Sequence, residues 1–143
     1  MRIVCISDTH TMHEEVNLPN GDILIHAGDF SNRGGKSDVE DFFGWLMRIK
    51  PKYRHIIFIA GNHDKSFDPK YGDMPDWLSE GIAKLEENNI WYLKDDIIEL
   101  LSGTSSDSVS AYQVTASKVS LNPVTSTVQS EGEITENCIY YGE

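Results

Sequence analysis

Three uninterrupted apolar runs constrain the fold of this chain more than any other feature: "RIVCIS" (Arg2 to Ser7), "DILIHAG" (Asp22 to Gly28) and "RHIIFIAG" (Arg54 to Gly61). Each has the length of a strand, and none alternates apolar with polar residues. Both faces of such strands must be covered, which is the signature of a parallel sheet between helical layers. Between and after them lie segments with helical spacing. "SDVEDFFGWLMRIK" places Val39, Phe42, Phe43, Leu46 and Ile49 on one stripe, offers Ser37 and Asp38 as caps, and is stopped by Pro51. "PDWLSEGIAKLEENN" turns Trp77, Leu78, Ile82 and Leu85 inward and ends at Asn88–Asn89, and "IWYL" and "DIIELL" follow as strands. The order predicts an α/β fold with a mostly parallel sheet flanked by helices.

Composition shifts at Ser102. The 42 residues from there to Glu143 hold 14 Ser or Thr against 7 in the first 101, with one Lys and no Phe, Trp, His or Arg. "VSAYQVTASKVSL", "VTSTV" and "ENCIYY" remain rich in β-branched and aromatic residues, so short strands fit. A Ser/Thr-rich disordered tail is the competing reading. The expected organisation is therefore a βαβαβ half over residues 1–101 and a β-rich segment over 102–143, both within one domain. Unsupported strand edges in that segment could pair with a second copy of the chain, giving a homo-oligomer.

The net charge of −11 argues against a nucleic-acid backbone or an anionic membrane as partner. No apolar run approaches the roughly 20 residues of a membrane span. The opening "MRIVCIS" lacks the flanks of a signal peptide, and two cysteines, Cys5 and Cys138, imply no disulfide framework, so a cytoplasmic protein with free thiols is expected.

The residues after each run carry the chemistry. The first run leads into Asp8, Thr9 and His10, the second into Asp29, and the third into Asn62, His63 and Asp64. Loops at the carboxyl ends of parallel strands share one edge, where ligands bind. Asp8 and His10, two apart on an extended strand end, would point to one side and chelate one ion. Asp29 could bridge two ions, and Asn62 adds a neutral oxygen. This mixed O/N set suits Mn, Fe or Zn. Two ions about 3.5–4 Å apart would clamp a phosphoryl group and supply a nucleophile at neutral pH. His63 would then protonate the leaving oxygen, held by the Asp64 carboxylate, while the Arg33 fork suits phosphate oxygens. Taken singly these residues have bland readings: Gly28 and Gly61 as turn glycines, His26 as a satisfied core histidine, His13 and His55 as solvated side chains. In the Lys65–Trp77 loop, Phe67, Tyr71 and Trp77 could stack on a base, though packing over the sheet edge is their commoner role.

These motifs resemble the calcineurin-like metallophosphoesterase family. Its pattern of Asp-x-His, Gly-Asp, then Gly-Asn-His-Asp or -Glu is matched by "SDTH", "AGDFSNRG" and "AGNHD". "GDFSNRG" is also similar to the Gly-Asp-x-x-Asp-Arg-Gly of the protein-phosphatase branch, with Asn32 in place of Asp. The resemblance covers about residues 1–100 and implies a β-sandwich flanked by helices that hydrolyses phosphomonoesters or phosphodiesters of small molecules or nucleotides. It implies that Asp8 and His10 bind a first ion, Asp29 bridges, Asn62 binds a second, and His63 is the general acid, with Arg33 and Asn32 facing substrate. The family draws further ligands from a later histidine and a Gly-His-x-His motif, and this sequence has no histidine after His63. Asp107, Glu131, Glu133 or Glu136 are available as substitute oxygen ligands. Two readings follow: a phosphoesterase with a dinuclear site, or a shortened or divergent non-catalytic relative that holds at most one ion and serves binding or assembly.

Overall fold

Strand β1 (Ile3–Ile6) pairs in parallel with β2 (Ile23–His26), β2 with β3 (His55–Phe58), and β3 with β4 (Ile90–Tyr92), giving a four-stranded parallel sheet in the order β1-β2-β3-β4. Helix α1 (Lys36–Ile49) connects β2 to β3, and α2 (Asp76–Glu86) connects β3 to β4. The computed structural model describes residues 1–102, 110–115 and 118–124. Residues 1–92 form one compact unit, and the described residues from Leu93 onward belong to a second. The second holds an antiparallel sheet of β5 (Ile97–Ser102), β6 (Ser110–Thr115) and β7 (Lys118–Val124). The α/β class with a mostly parallel first sheet and a β-rich continuation is as the residues predict. The readings placed on residues 125–143, Cys138 included, lie outside the described residues, as do the spare acidic ligands from Asp107 on.

The core explains why these segments take these forms. Val4, Ile6, Leu24, Ile56, Phe58 and Ile90 share a cluster with Val39, Phe42, Phe43, Trp45 and Leu46 of α1 and Leu78 and Leu85 of α2. Burying each large apolar side chain stabilises by about 1.5–3 kcal/mol. Ile49, Trp77 and Ile82 pack against it from the margin. Helix α1 starts two residues earlier than a Ser37 cap would place it. Gly35 is the N-cap and no side chain caps the helix, so Ser37 and Asp38 lie inside the first turn. The helix closes before Pro51, which opens a short 3-10 turn over Lys50–Lys52.

Two phenylalanines tie the sheet's carboxyl edge to this core. Phe30, one residue beyond Asp29, is fully buried and stacks on Phe42 with ring centroids 4.0 Å apart. Phe67, three residues beyond Asp64, is buried with its ring 5.5 Å from Phe30. Of the aromatics in that loop, Phe67 therefore packs, Trp77 is half-buried and Tyr71 is exposed.

His13 is not solvated. It lies fully buried between Phe42 and Trp45, ring centroids 5.7 and 5.1 Å away, and its Nε2–H donates to Asp41 Oδ2 at 3.0 Å. The aromatic residues that cover it come from α1, about thirty positions away, which local polarity around His13 does not reveal. His55 is likewise half-buried rather than solvated.

His26 is a satisfied core histidine. Its Nδ1 accepts from the Gly28 N–H at 3.2 Å, so Nε2 carries the proton and donates to Thr9 Oγ1 at 3.0 Å. Burial, then the nearby His13, lowers its pKa from 6.5 to about 3. Folded, the ring stays neutral where the unfolded chain takes up a proton, so stability falls as pH drops below 6.5. The expected loss is about 2 kcal/mol between pH 6.5 and 5. Urea titrations of the parent and His26→Gln across that window check it. Equal pH slopes in the two proteins would show that His26 is not the source.

Candidate metal centre

The loop after β1 does not continue as extended strand. Asp8, His10 and Thr11 have φ of 55°, 40° and 68°, and Asp29 after β2 has φ of 55°. Left-handed backbone is uncommon outside glycine, more so for a β-branched residue such as Thr11, and each instance costs about 1–3 kcal/mol. The strain is held by a backbone ladder between the two loops. The Asp8, His10 and Thr11 N–H groups donate to the carbonyls of Gly28, Asp29 and Phe30 at 3.0, 3.0 and 2.9 Å. Asp8 and His10 thus share one loop through a tight turn, and the period-two geometry of a strand does not apply to them.

The loops after β2 and β3 meet through glycines. A Cβ on Gly28 would lie 2.6 Å from the Gly61 nitrogen, and one on Gly61 would lie 2.6 Å from the Asp29 nitrogen. Gly28 also has φ of 99°, so it is more than a turn residue: bare backbone on both sides is what lets the loops touch. Asp64 then bolts them together. Its fully buried carboxylate accepts from the Asp29 N–H at 2.8 Å, the Ser31 N–H at 2.9 Å, the Ser31 hydroxyl at 2.6 Å and the Gly61 N–H at 2.9 Å. Burial pushes its pKa above the ordinary value, and these four donors pull it back.

That arrangement corrects one expectation. Asp64 does not hold the His63 ring; it turns inward, while the ring of His63 stays exposed. The His63 Nδ1–H donates to the Asn32 carbonyl at 2.9 Å, and the His63 N–H donates to Asp29 Oδ1 at 2.9 Å. His10 is set in the same way, its Nδ1–H donating to the Ser31 carbonyl at 3.2 Å. A carbonyl can only accept, so each neutral ring carries its proton on Nδ1 and presents a lone pair at Nε2.

The two imidazoles lie edge to face with centroids 4.7 Å apart. His10, Asp29 and His63 each offer a ligand atom within 4.8 Å of the others. Two imidazoles and a carboxylate match the donor preferences of a borderline divalent cation, and metal-bound histidines usually donate their other ring N–H to a carbonyl or carboxylate, as both rings do here. Asp8 is not a member of this group. Its carboxylate and the Asn62 amide are exposed at the same sheet edge and make no hydrogen bond among the described residues. Asn32 is exposed, its Nδ2 donating to Thr11 Oγ1 at 3.3 Å, and Arg33 is exposed and lines a neighbouring cavity of about 240 Å³. The inward role of Asp64 was missed because the sequence does not show which way each residue of a tight turn faces. The paired glycines on facing loops were the available signal.

A family model described as calcineurin-like phosphoesterase matches residues 1–135. Metallophosphoesterase domain-containing protein 1 of Homo sapiens is 39% identical over 94 residues, which is 62% of this chain and 28% of that protein. A UPF0046 protein of Caenorhabditis elegans is 33% identical over 125 residues, 73% of this chain and 31% of its own length. The chain thus spans about 30% of the length of these relatives. A phosphopantetheinyl hydrolase from Mycobacterium tuberculosis superposes with a TM-score of 0.48 at 18% identity, covering 77% of this chain and 40% of that one. Among the described residues no helix is long and apolar enough to cross a membrane. With its three strand-end motifs gathered on one edge and the family model matched over most of its length, this chain belongs to the calcineurin-like phosphoesterase family.

Proposed function

We propose that the chain is a metal-dependent phosphoesterase acting on a phosphomonoester or phosphodiester. The observation that carries this reading is the group formed by His10, Asp29 and His63 at the carboxyl edge of the sheet. His10 and Asp29 would hold a divalent ion, with the exposed Asp8 carboxylate at the same sheet edge available to it, and Asn62 and Asp29 would be the ligands available to a second. When bound, such an ion supplies Lewis acidity toward a phosphoryl oxygen. His63 is the general acid. Its ring is steered by the Asn32 carbonyl, which leaves Nε2 to carry the proton delivered to the leaving oxygen. Water adds to phosphorus, the bond to the leaving oxygen breaks, and the proton lost by the water restores His63. Arg33 offers its planar fork to the phosphoryl oxygens. Asp64 and the glycine pair act one layer below, holding the Asp29 and His63 loops at contact distance.

A second reading keeps the group at His10, Asp29 and His63 but assigns it a single ion. Under that reading the chain holds one ion and binds without hydrolysing. Calorimetric titration with Mn²⁺, Fe²⁺ and Zn²⁺, run beside hydrolysis of p-nitrophenyl phosphate and its bis ester, separates the two. The expected result is hydrolysis that depends on added ion, stops with EDTA and is lost in Asp29→Ala along with the bound ion. Tight ion binding with no hydrolysis of either ester would leave only the binding role.

A further inference from the structure

The cavity beside the metal-site group has a chemical character of its own. Its walls come from the same two loops, one step further on: Arg33 follows Asn32, whose carbonyl holds the His63 ring, and Lys65 and Ser66 follow Asp64. Gly34 lets the walls close up, since with φ of 71° its Cβ would lie 2.7 Å from the Ser66 nitrogen. Tyr71 also lines it, and Asp73 contributes the lining carboxylate. Among the described residues neither Arg33 nor Lys65 makes an ion pair. In a chain of net charge −11, two unpaired cations facing one cavity stand against the general field.

Three further observations narrow what could sit there. The Lys65 and Lys70 ammonium groups lie 5.3 and 5.7 Å from the centroid of the Tyr71 ring. The ring is already engaged by two cations, so the cavity offers positive charge rather than a bare aromatic face for a base to stack on. The Ser66 hydroxyl is buried without a hydrogen-bond partner, and Ser66 lines the cavity. Finally, a volume of about 240 Å³ is below the roughly 300–1,000 Å³ of cavities that enclose whole ligands. It suits one group of a larger molecule.

We infer that this cavity is a subsite for a second oxyanion, a phosphate or carboxylate carried by the substrate beyond its scissile phosphoryl group. Lys65 supplies a point charge and Ser66 a donor that lacks any other acceptor, while Tyr71 gathers the ammonium groups. The inference deepens the phosphoesterase reading and rests on it for the word substrate, but anion binding can be measured without catalysis.

The test uses the full chain freed of metal with EDTA and titrated calorimetrically with methylenebisphosphonate, in the parent, Lys65→Met and Tyr71→Leu. Binding in the parent that weakens about tenfold in Lys65→Met, the scale of one charged hydrogen bond, and also weakens in Tyr71→Leu is the expected result. With Mn²⁺ restored, the preference in kcat/KM for 4-carboxyphenyl phosphate over phenyl phosphate should fall by a similar factor in Lys65→Met. No binding by the metal-free parent, or binding unchanged in both variants, overturns the subsite. Binding that behaves as expected in a protein that hydrolyses neither ester supports the subsite while removing the phosphoesterase reading.

Discussion

Asp64→Ala should lose about 3 kcal/mol of folding stability, the scale of leaving several buried donors without their acceptor. The carboxylate accepts from three main-chain N–H groups and one hydroxyl, spread over two loops. Deleting it leaves those donors buried, at about 1–3 kcal/mol for each that water cannot reach. Asp64→Asn should be milder, since it keeps one accepting oxygen but turns an amide N–H toward a donor. Urea denaturation reads the difference as a shift in midpoint at unchanged slope. The ion affinity of the Asp29 loop should fall with it. An alanine variant that unfolds at the parent's urea concentration would show that the loops are held some other way.

His63→Ala should leave stability almost untouched and lower kcat by about 10²–10⁴, the range of a general acid. The ring is exposed, and its hydrogen bond to the Asn32 carbonyl is at the surface, so little folding energy is at stake. A proton donor matters most when the leaving oxygen is basic, so the drop should be larger for phenyl phosphate than for p-nitrophenyl phosphate. If His63 instead serves as an ion ligand, excess Mn²⁺ would rescue the variant and the leaving group would make no difference. Equal drops with rescue would therefore reassign His63 from acid to ligand.

Much of this molecule is legible in its residues because burial on both faces demands long apolar runs. The strands containing Ile3, Ile23 and Ile56 stand out for that reason, and so does the helical stripe of Val39, Phe42, Phe43 and Leu46. The parallel order then places Asp8, His10, Asp29, Asn62 and His63 at one edge without any further information. What stayed hidden depends on direction at short range and on packing at long range. Strand periodicity cannot say where Asp8 and His10 point once their backbone turns left-handed, nor that Asp64 faces inward while His63 faces out. His13 looks like a surface residue beside Met12 and Glu14, and only the distant Phe42 and Trp45 bury it. The Gly35 start of α1 escaped because a glycine cap leaves no side-chain signature, whereas Ser37 and Asp38 advertise one they do not use.

Both imidazoles at the centre are steered by peptide oxygens, those of residues 31 and 32. Peptide oxygens are common to all twenty amino acids. Position 32 can therefore drift from Asn to a different residue without freeing the ring of His63, so long as the chain's path is kept. The orientation that matters for proton delivery is inherited from the loop's trace, and mutational scans of residue 32 should find tolerance where proximity alone would suggest intolerance.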